Sequence, residues 1–241
     1  PSTKYRQNIM ILIASMFLVS IGYTMVIPFL PLYLLDIGVP QESIAIWTGV
    51  VFSSCFLVAG IMGPIWGKMA DTRGKKQMAI RAAVLLGFSY LFCGLSQNAW
   101  QMTAARAFMG FSNGFVAASM AIISVSADPK NLGATLGMGQ TALIVGGIAG
   151  PLVGGTLAHL IGIRNTFFIS AAFLWFVAVL VILYVREPKL GMVKKVESKA
   201  TTIGEDLSYA FHNGHLREIL FIAFGLQTTI LMIQPVTALY V

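Results

Sequence analysis

Residues 9–35 of this chain contain no charged side chain, and neither do residues 43–67, 132–163 and 165–185. A bilayer core of about 30 Å requires about 20 apolar residues per helical crossing, so each run is long enough to span it. Inside lipid every backbone polar group needs a partner within its own segment, which makes helices the expected form of such runs. A mean hydropathy of +0.81 and a charged fraction of only 10% agree with this. The expected fold class is therefore an all-α membrane protein, and soluble nucleic-acid binding is excluded as the reason for the net charge of +7. Cys55 and Cys93 fall within apolar runs and are expected as small buried hydrophobes rather than a disulfide. The first run is too long for a signal-peptide core and ends at Pro28-Phe29-Leu30-Pro31, so it is expected to stay in the mature protein.

Six spans follow in order. The first two cover residues 9–35 and 43–67, and a basic segment with Lys68, Arg73, Lys75, Lys76 and Arg81 separates the second from a third over about 78–95. Ser96-Gln97-Asn98 breaks the pattern, and the fourth span runs over 99–125 with one charge, Arg106. After the turn signal Asp128-Pro129-Lys130-Asn131 come the fifth and sixth, 132–163 and 165–185. The organisation predicted is a six-helix bundle over residues 1–186, a cytoplasmic linker over 187–218, and a seventh helix over 219–241 that begins a second, missing half. Within the linker, Thr202 and Glu205 fit a capping box for a short amphipathic helix burying Leu207, Ala210 and Phe211, with Gly214 as its stop. His212 and His215 have no third ligand nearby, so no metal site is predicted. With the N-terminus in the cytoplasm, 14 of the 16 basic residues lie on the inner side, the pattern of a multi-pass protein of the cell membrane.

An internal repeat adds directionality. Gly63-Pro64-Ile65-Trp66-Gly67 is echoed by Gly150-Pro151-Leu152-Val153-Gly154, and Gly74 with Ala82, Ala83 and Phe88 is echoed by Gly162 with Ala171, Ala172 and Phe176. Three spans separate the members of each pair, so they cross the membrane in opposite directions, as in inverted three-plus-three repeats of secondary transporters.

Four motifs then connect the chain to a family. The segment from Gly67 to Lys76, with Asp71, Arg73, Gly74 and Lys75, resembles the signature loop G-x-x-x-D-R/K-x-G-R/K-R/K of the major facilitator superfamily, with Thr72 in place of the usual base. In the fifth span Gly137, Gly146, Gly150, Pro151, Gly154 and Gly155 match the G-x8-G-x3-G-P-x2-G-G pattern of its drug/proton antiporters. Arg106, Met109, Gly110 and Gly114 resemble the fourth-helix motif R-x-x-Q-G-x-x-x-G, with Met109 replacing Gln. The end of the first span, Pro28-Phe29-Leu30-Pro31, is similar to the first-helix proline motif of the twelve-helix members, and the match looks closest to bacterial multidrug efflux pumps.

The resemblance implies a major facilitator N-terminal six-helix bundle with 3+3 inverted repeats, followed by the first helix of a second bundle. It implies a conformational latch built on Gly67, Asp71, Arg73, Gly74, Lys75 and Lys76, and a role for Arg106 in proton coupling. Physically, glycines allow a tight loop and close helix approach, Pro151 frees a backbone carbonyl and permits a bend, and a charge at the depth of Arg106 must face protein or water. No Asp or Glu lies at mid-membrane in any span, so proton coupling follows from the resemblance and not from a visible carboxylate. The expected substrates are small hydrophobic or cationic compounds in a midplane cavity with few fixed polar groups, for which Tyr23, Asn113, Gln140 and Gln227 are the candidates. No cofactor is expected beyond a proton gradient as energy source, and no nucleophile and base constellation suggests an enzyme. Two other readings stand beside efflux: a facilitator for sugars or other metabolites, and a non-transporting membrane scaffold.

Overall fold

The structure, a computed structural model, describes residues 3–187, 208 and 212–240. The chain divides into two compact units, residues 1–189 and 190–241.

The first unit contains six apolar spans built from eight helices: α1 (Thr3–Thr24), α2 (Leu30–Asp36), α3 (Ile44–Arg73), α4 (Lys75–Leu95), α5 (Ala99–Ser112), α6 (Phe115–Ser126), α7 (Leu132–Ile161) and α8 (Ile163–Tyr184). The first and fourth spans are interrupted, where uninterrupted helices were expected. In the first, α1 stops at Thr24 and a 3-10 turn over Ile27–Phe29 leads into α2. Pro28 causes this, since it donates no amide hydrogen and its ring collides with the carbonyl four residues earlier. In the fourth, α5 ends at Ser112 and Gly114 takes φ +122° before α6 begins.

Both breaks occupy the same place in a repeat of 88 residues that covers the whole bundle. Thr24 and Ser112 end α1 and α5, Ile44 and Leu132 begin α3 and α7, and Arg73 and Ile161 end them, each pair 88 apart. The 3-10 turns Gln41–Ser43 and Pro129–Asn131 that introduce α3 and α7 keep the same spacing. So do Gly74 and Gly162, single-residue joints with φ +101° and +87° between consecutive long helices. That backbone strains any residue with a Cβ, so glycine is what lets the chain reverse in one step.

The packing follows the repeat. The first span lies on the fifth, the second on the fourth, and the third on the sixth. Close approach in the first pair is made possible by Gly146, Gly150 and Gly154, spaced four apart on α7. A Cβ at Gly146 would stand 2.6 Å from the Phe17 carbonyl oxygen, one at Gly150 would stand 2.9 Å from that of Ile21, and one at Gly154 would collide with the Met25 carbonyl. Gly110 on α5 does the same against Cys55 and Ala59 of α3, in the partner half of the repeat. Lipid tails offer no hydrophobic drive for helix association, so van der Waals contact at such small-residue faces has to hold the spans together. Aromatic contacts fill the centre, where the Tyr33 and Tyr90 rings lie 5.0 and 6.3 Å from Phe167. Large apolar side chains such as Ile46, Leu57, Ile61, Ile148, Leu152 and Leu183 point outward, the surface expected against lipid. Cys55 and Cys93 are buried free thiols.

The ends of the third and sixth spans cap each other. The Lys76 ammonium donates to the Ile182 carbonyl at 3.0 Å, near the end of α8, and Arg164 Nη2 donates to the Ser96 carbonyl at 3.2 Å, just past the end of α4. Each cation thus satisfies a carbonyl left without an intrahelical partner and sits at a negative helix end. Lys76 and Arg164 are themselves 88 residues apart, so the repeat extends to its charged side chains.

The second unit contains α9 (Gly214–Tyr240), at whose start Asn213 Oδ1 accepts from the Leu216 amide at 3.4 Å. Gly214 therefore begins a helix where the sequence was read as stopping one. The capping box at Thr202 and Glu205, with Leu207, Ala210 and Phe211, lies outside the described residues. Among the described residues no group of His, Cys, Asp and Glu could hold a metal ion.

Candidate transport site

A cavity of about 660 Å³ opens between α3, α4, the α5–α6 break and α7. Small residues make it. Ala59, Gly63, Gly67 and Ala70 on α3 face Gly110, Gly114, Ala117, Ala118 and Ala121 on the fourth span, so the two walls carry little side-chain bulk. Its polar groups are few: Lys75, Arg81, Asn113 and Gln140, with the Trp66 indole beside them.

Three of these form a fixed unit. Trp66 Nε1 donates to the Phe111 carbonyl at 2.8 Å, and its ring meets the Phe111 ring edge-on at 5.1 Å. The Arg81 guanidinium lies 3.6 Å above the Trp66 ring, close enough for a strong cation–π contact. Arg81 Nη2 donates to the Asn113 carbonyl at 2.9 Å. That carbonyl sits at the interrupted end of α5, where the helix dipole is negative and the carbonyls lack partners, so a cation there is stabilised twice over. By sequence Arg81 belongs both to the basic segment after the second span and to the third span over about 78–95. In the structure it stands six residues inside α4, about 9 Å from the Gly74 end at 1.5 Å per residue. The signal available was its neighbourhood, since Met78, Ala79 and Ile80 precede it and Ala82, Ala83 and Val84 follow.

Of the other candidates, Asn113 and Gln140 line this cavity and Tyr23 does not. Tyr23 is half-buried and its carbonyl accepts from Tyr90 Oη at 2.6 Å. Its neighbourhood is that of Arg106, near which Cys55, Tyr90 and Cys93 also lie. The side chain of Gln227 lies outside the described residues.

Arg106 is only 1% exposed. Its Nη1 donates to Met109 Sδ at 3.7 Å, a weak acceptor, and its guanidinium carbon lies 5.6 Å from the Phe52 ring centre. Nε and Nη2 are buried without a hydrogen-bond partner among the described residues. A buried cation with two unanswered donors is costly, so this position is not explained by packing.

The expected latch residues are spread over two helices and one joint. Gly67 is an exposed helical residue of α3, and no atom approaches within 4 Å of where its Cβ would be. It therefore does not shape a loop: the helix continues to Arg73, and Gly74 alone makes the turn. Arg73 is exposed in the last turn of α3, and the side chain of Asp71 lies outside the described residues. Lys75 and Lys76 open α4, and both of their amides are held by a residue that the sequence reading left in the linker. Glu187 Oε1 accepts from the Lys75 amide at 2.8 Å and Oε2 from the Lys76 amide at 2.9 Å. This carboxylate answers two orphan donors at a positive helix end. Glu187→Ala is expected to destabilise the bundle by about 1 kcal/mol, and Glu187→Gln by less; thermal melts of the two variants in detergent check the order.

The fifth-span pattern divides as well. Gly146, Gly150 and Gly154 pack on the first span, whereas Gly137 is exposed with nothing near it and Gly155 would meet only Phe29 Cζ at an ordinary 3.4 Å. Pro151 sits inside α7, which continues through it. Gly139, absent from the pattern, is buried against Met120 and Met16.

Residues 12–241 match the family model of the Major Facilitator Superfamily. The chain is 37% identical over 195 residues to the multidrug resistance protein MdtG of Proteus mirabilis, which covers 80% of the chain and 48% of that relative. It is 33% identical over 239 residues to MdtG of Dickeya zeae, covering 98% of the chain and 58% of the relative. The chain thus spans about half the length of the curated relatives it matches. The crystal structure of the human organic anion transporter MFSD10 superposes with a TM-score of 0.67 at 17% identity, covering 78% of this chain and 48% of that one, a likeness of fold.

Proposed function

We propose that this chain, which belongs to the major facilitator superfamily, supplies the first bundle and the start of the second of a multidrug exporter that works by alternating access and proton antiport. The observation that carries the reading is a cavity walled by small and apolar residues with few polar groups, in a chain 37% identical to a multidrug resistance protein. A wall of this kind accepts many shapes because little has to be satisfied by hydrogen bonding. A sugar or polar metabolite would leave its hydroxyls unanswered there, which weighs against the facilitator reading.

In this reading the Gly74 end faces the cytoplasm of a cell-membrane protein, by the bias of basic residues. The rigid 88-residue repeat moves as one body against a second bundle. Gly67, Asp71, Arg73, Gly74, Lys75 and Lys76 act as the latch at the cytoplasmic end, with Glu187 holding the first turn of α4. Arg106, buried and short of partners, is the group whose environment changes with proton binding. Asn113 and Gln140 contact substrate, as does Gln227 from the second bundle. The driving force is the proton gradient.

The test is flux of a lipophilic fluorescent dye in vesicles bearing the full-length protein. Dye movement against its gradient that ceases on adding a protonophore is expected. Movement indifferent to the proton gradient would refute antiport, and no movement of any solute would refute transport itself.

A further inference from the structure

A groove of about 430 Å³ runs along the seam between α4 and α5, at the end of the bundle opposite Gly74. Ala104 and Ala105 of α5 carry little bulk and keep it open, and the Phe92 and Phe108 rings line it 5.7 Å apart. Ser96 and Gln101 supply its polar groups, both at the end of the spans. Gln101 and Phe108 stand about 10 Å apart along α5 at 1.5 Å per residue, so the groove descends from a polar rim into the apolar depth of the span. Phe92 and Leu95 are 45% and 57% exposed, which turns this wall outward, toward lipid. Beside the rim Trp100, 72% exposed, meets Trp47 edge-on at 5.0 Å. An exposed indole pair at the end of two spans marks the level of the lipid headgroups.

An exposed cation reaches the same rim. Arg164 Nε donates to Tyr33 Oη at 3.3 Å and Nη2 to the Ser96 carbonyl at 3.2 Å, so the guanidinium is fixed against a residue that lines the groove. Nη1 makes no hydrogen bond among the described residues. Asp36 and Glu42 share this end of the bundle, and among the described residues neither forms an ion pair with Arg164. Gln101 Oε1 accepts from the Gln97 amide at 2.8 Å, which leaves the side-chain amide nitrogen to donate at the rim.

We propose that this groove is a site for a single anionic phospholipid. One acyl chain lies between α4 and α5 against Phe92 and Phe108, and the phosphate sits over the Ser96 turn, where Arg164 and Gln101 donate to it. Bulk lipid covers the convex apolar faces without distinction, whereas a concave seam under a fixed cation selects by headgroup charge. The charge-assisted bond to the phosphate is what separates an anionic lipid from a zwitterionic one of equal chain length. The site is independent of which compound the transporter carries.

The test uses the full-length protein in nanodiscs with phosphatidylglycerol or phosphatidylcholine bearing the same diazirine on the acyl chain, and maps the adducts by mass spectrometry. Adducts on residues 92–108 are expected to be about fivefold more abundant from phosphatidylglycerol. Adducts around Ile148 and Leu152, on the exposed face of α7, should not differ between the two lipids. Ala104→Trp, which fills the groove, should remove the 92–108 adducts and spare those on α7. Arg164→Gln should bring phosphatidylglycerol down to the level of phosphatidylcholine. Equal labelling of 92–108 by both lipids overturns the proposal, as does unchanged labelling in Ala104→Trp or a preference that survives Arg164→Gln. If Arg164→Gln does not fold, the wild-type ratio and Ala104→Trp decide. Leu95→benzoylphenylalanine that captures a second copy of the chain, with no lipid adduct on 92–108, would make the groove a protein interface and also overturn it.

Discussion

Gly150→Val abolishes the assembled bundle, whereas Gly137→Val leaves it intact. Both glycines belong to the same fifth-span pattern, and a reading from motif alone gives them equal weight. The structure separates them by what a side chain would meet. At Gly150 a Cβ would run into the Thr24 side chain and stand 2.9 Å from the Ile21 carbonyl oxygen, while at Gly137 no atom lies within 4 Å. The obstacle at Gly150 is the short, β-branched Thr24 side chain together with the Ile21 carbonyl, and that backbone of the first span cannot step aside as a flexible side chain can. Overpacking of this kind costs about 1–3 kcal/mol where a core can adjust, and more where it cannot. Helix association in lipid depends on contact rather than on a hydrophobic drive, so separating α1 from α7 removes what joins the first and fifth spans. Size-exclusion profiles of fluorescent fusions would check this: a monodisperse peak for Gly137→Val and aggregate or loss for Gly150→Val are expected. A monodisperse Gly150→Val protein would contradict the packing described for that face.

Arg106→Met raises or preserves thermal stability and eliminates proton-driven flux. The two effects run in opposite directions, which sets this position apart from a structural one. Arg106 is fully enclosed, its Nε and Nη2 lack hydrogen-bond partners among the described residues, and its Nη1 donates to a thioether. Replacing buried charge by an apolar side chain of similar volume is often neutral or stabilising by about 1–4 kcal/mol. Methionine fits the gap between Met109 and Phe52 without leaving a donor unanswered. A charge kept at such a cost is kept for what it does, and in the export reading that is proton coupling. Met109→Gln would supply an amide oxygen in place of the thioether and should raise stability while retaining flux. Melting curves and pH-jump flux on the same vesicles test both variants. Collapse of Arg106→Met on solubilisation, or full proton-driven flux in it, would overturn the assignment.

How much of this was legible beforehand depends on whether the signal lies along the chain or across it. The uncharged runs announce the spans because a bilayer admits little else, and Arg106 stands out since a charge within such a run has to face protein. The repeat showed in echoes such as Gly74 and Gly162, two joints whose positive φ calls for the same residue. The break at Gly114 gave no comparable signal: no proline marks it, and glycine is frequent throughout these spans. Glu187 was invisible as a cap, for it answers amides 112 and 111 residues away and reads locally as linker charge.

The amino-acid order by itself therefore determined the number of crossings, their alternating direction and the pairing of two related halves, since hydropathy and glycine spacing are properties of each segment alone. Which glycines touch a neighbour, and that Arg81 stacks on Trp66 at the broken end of α5, only the tertiary structure decided. Those outcomes depend on the distance between helices far apart in the chain, and a small residue or a lone arginine carries no record of what will stand opposite it.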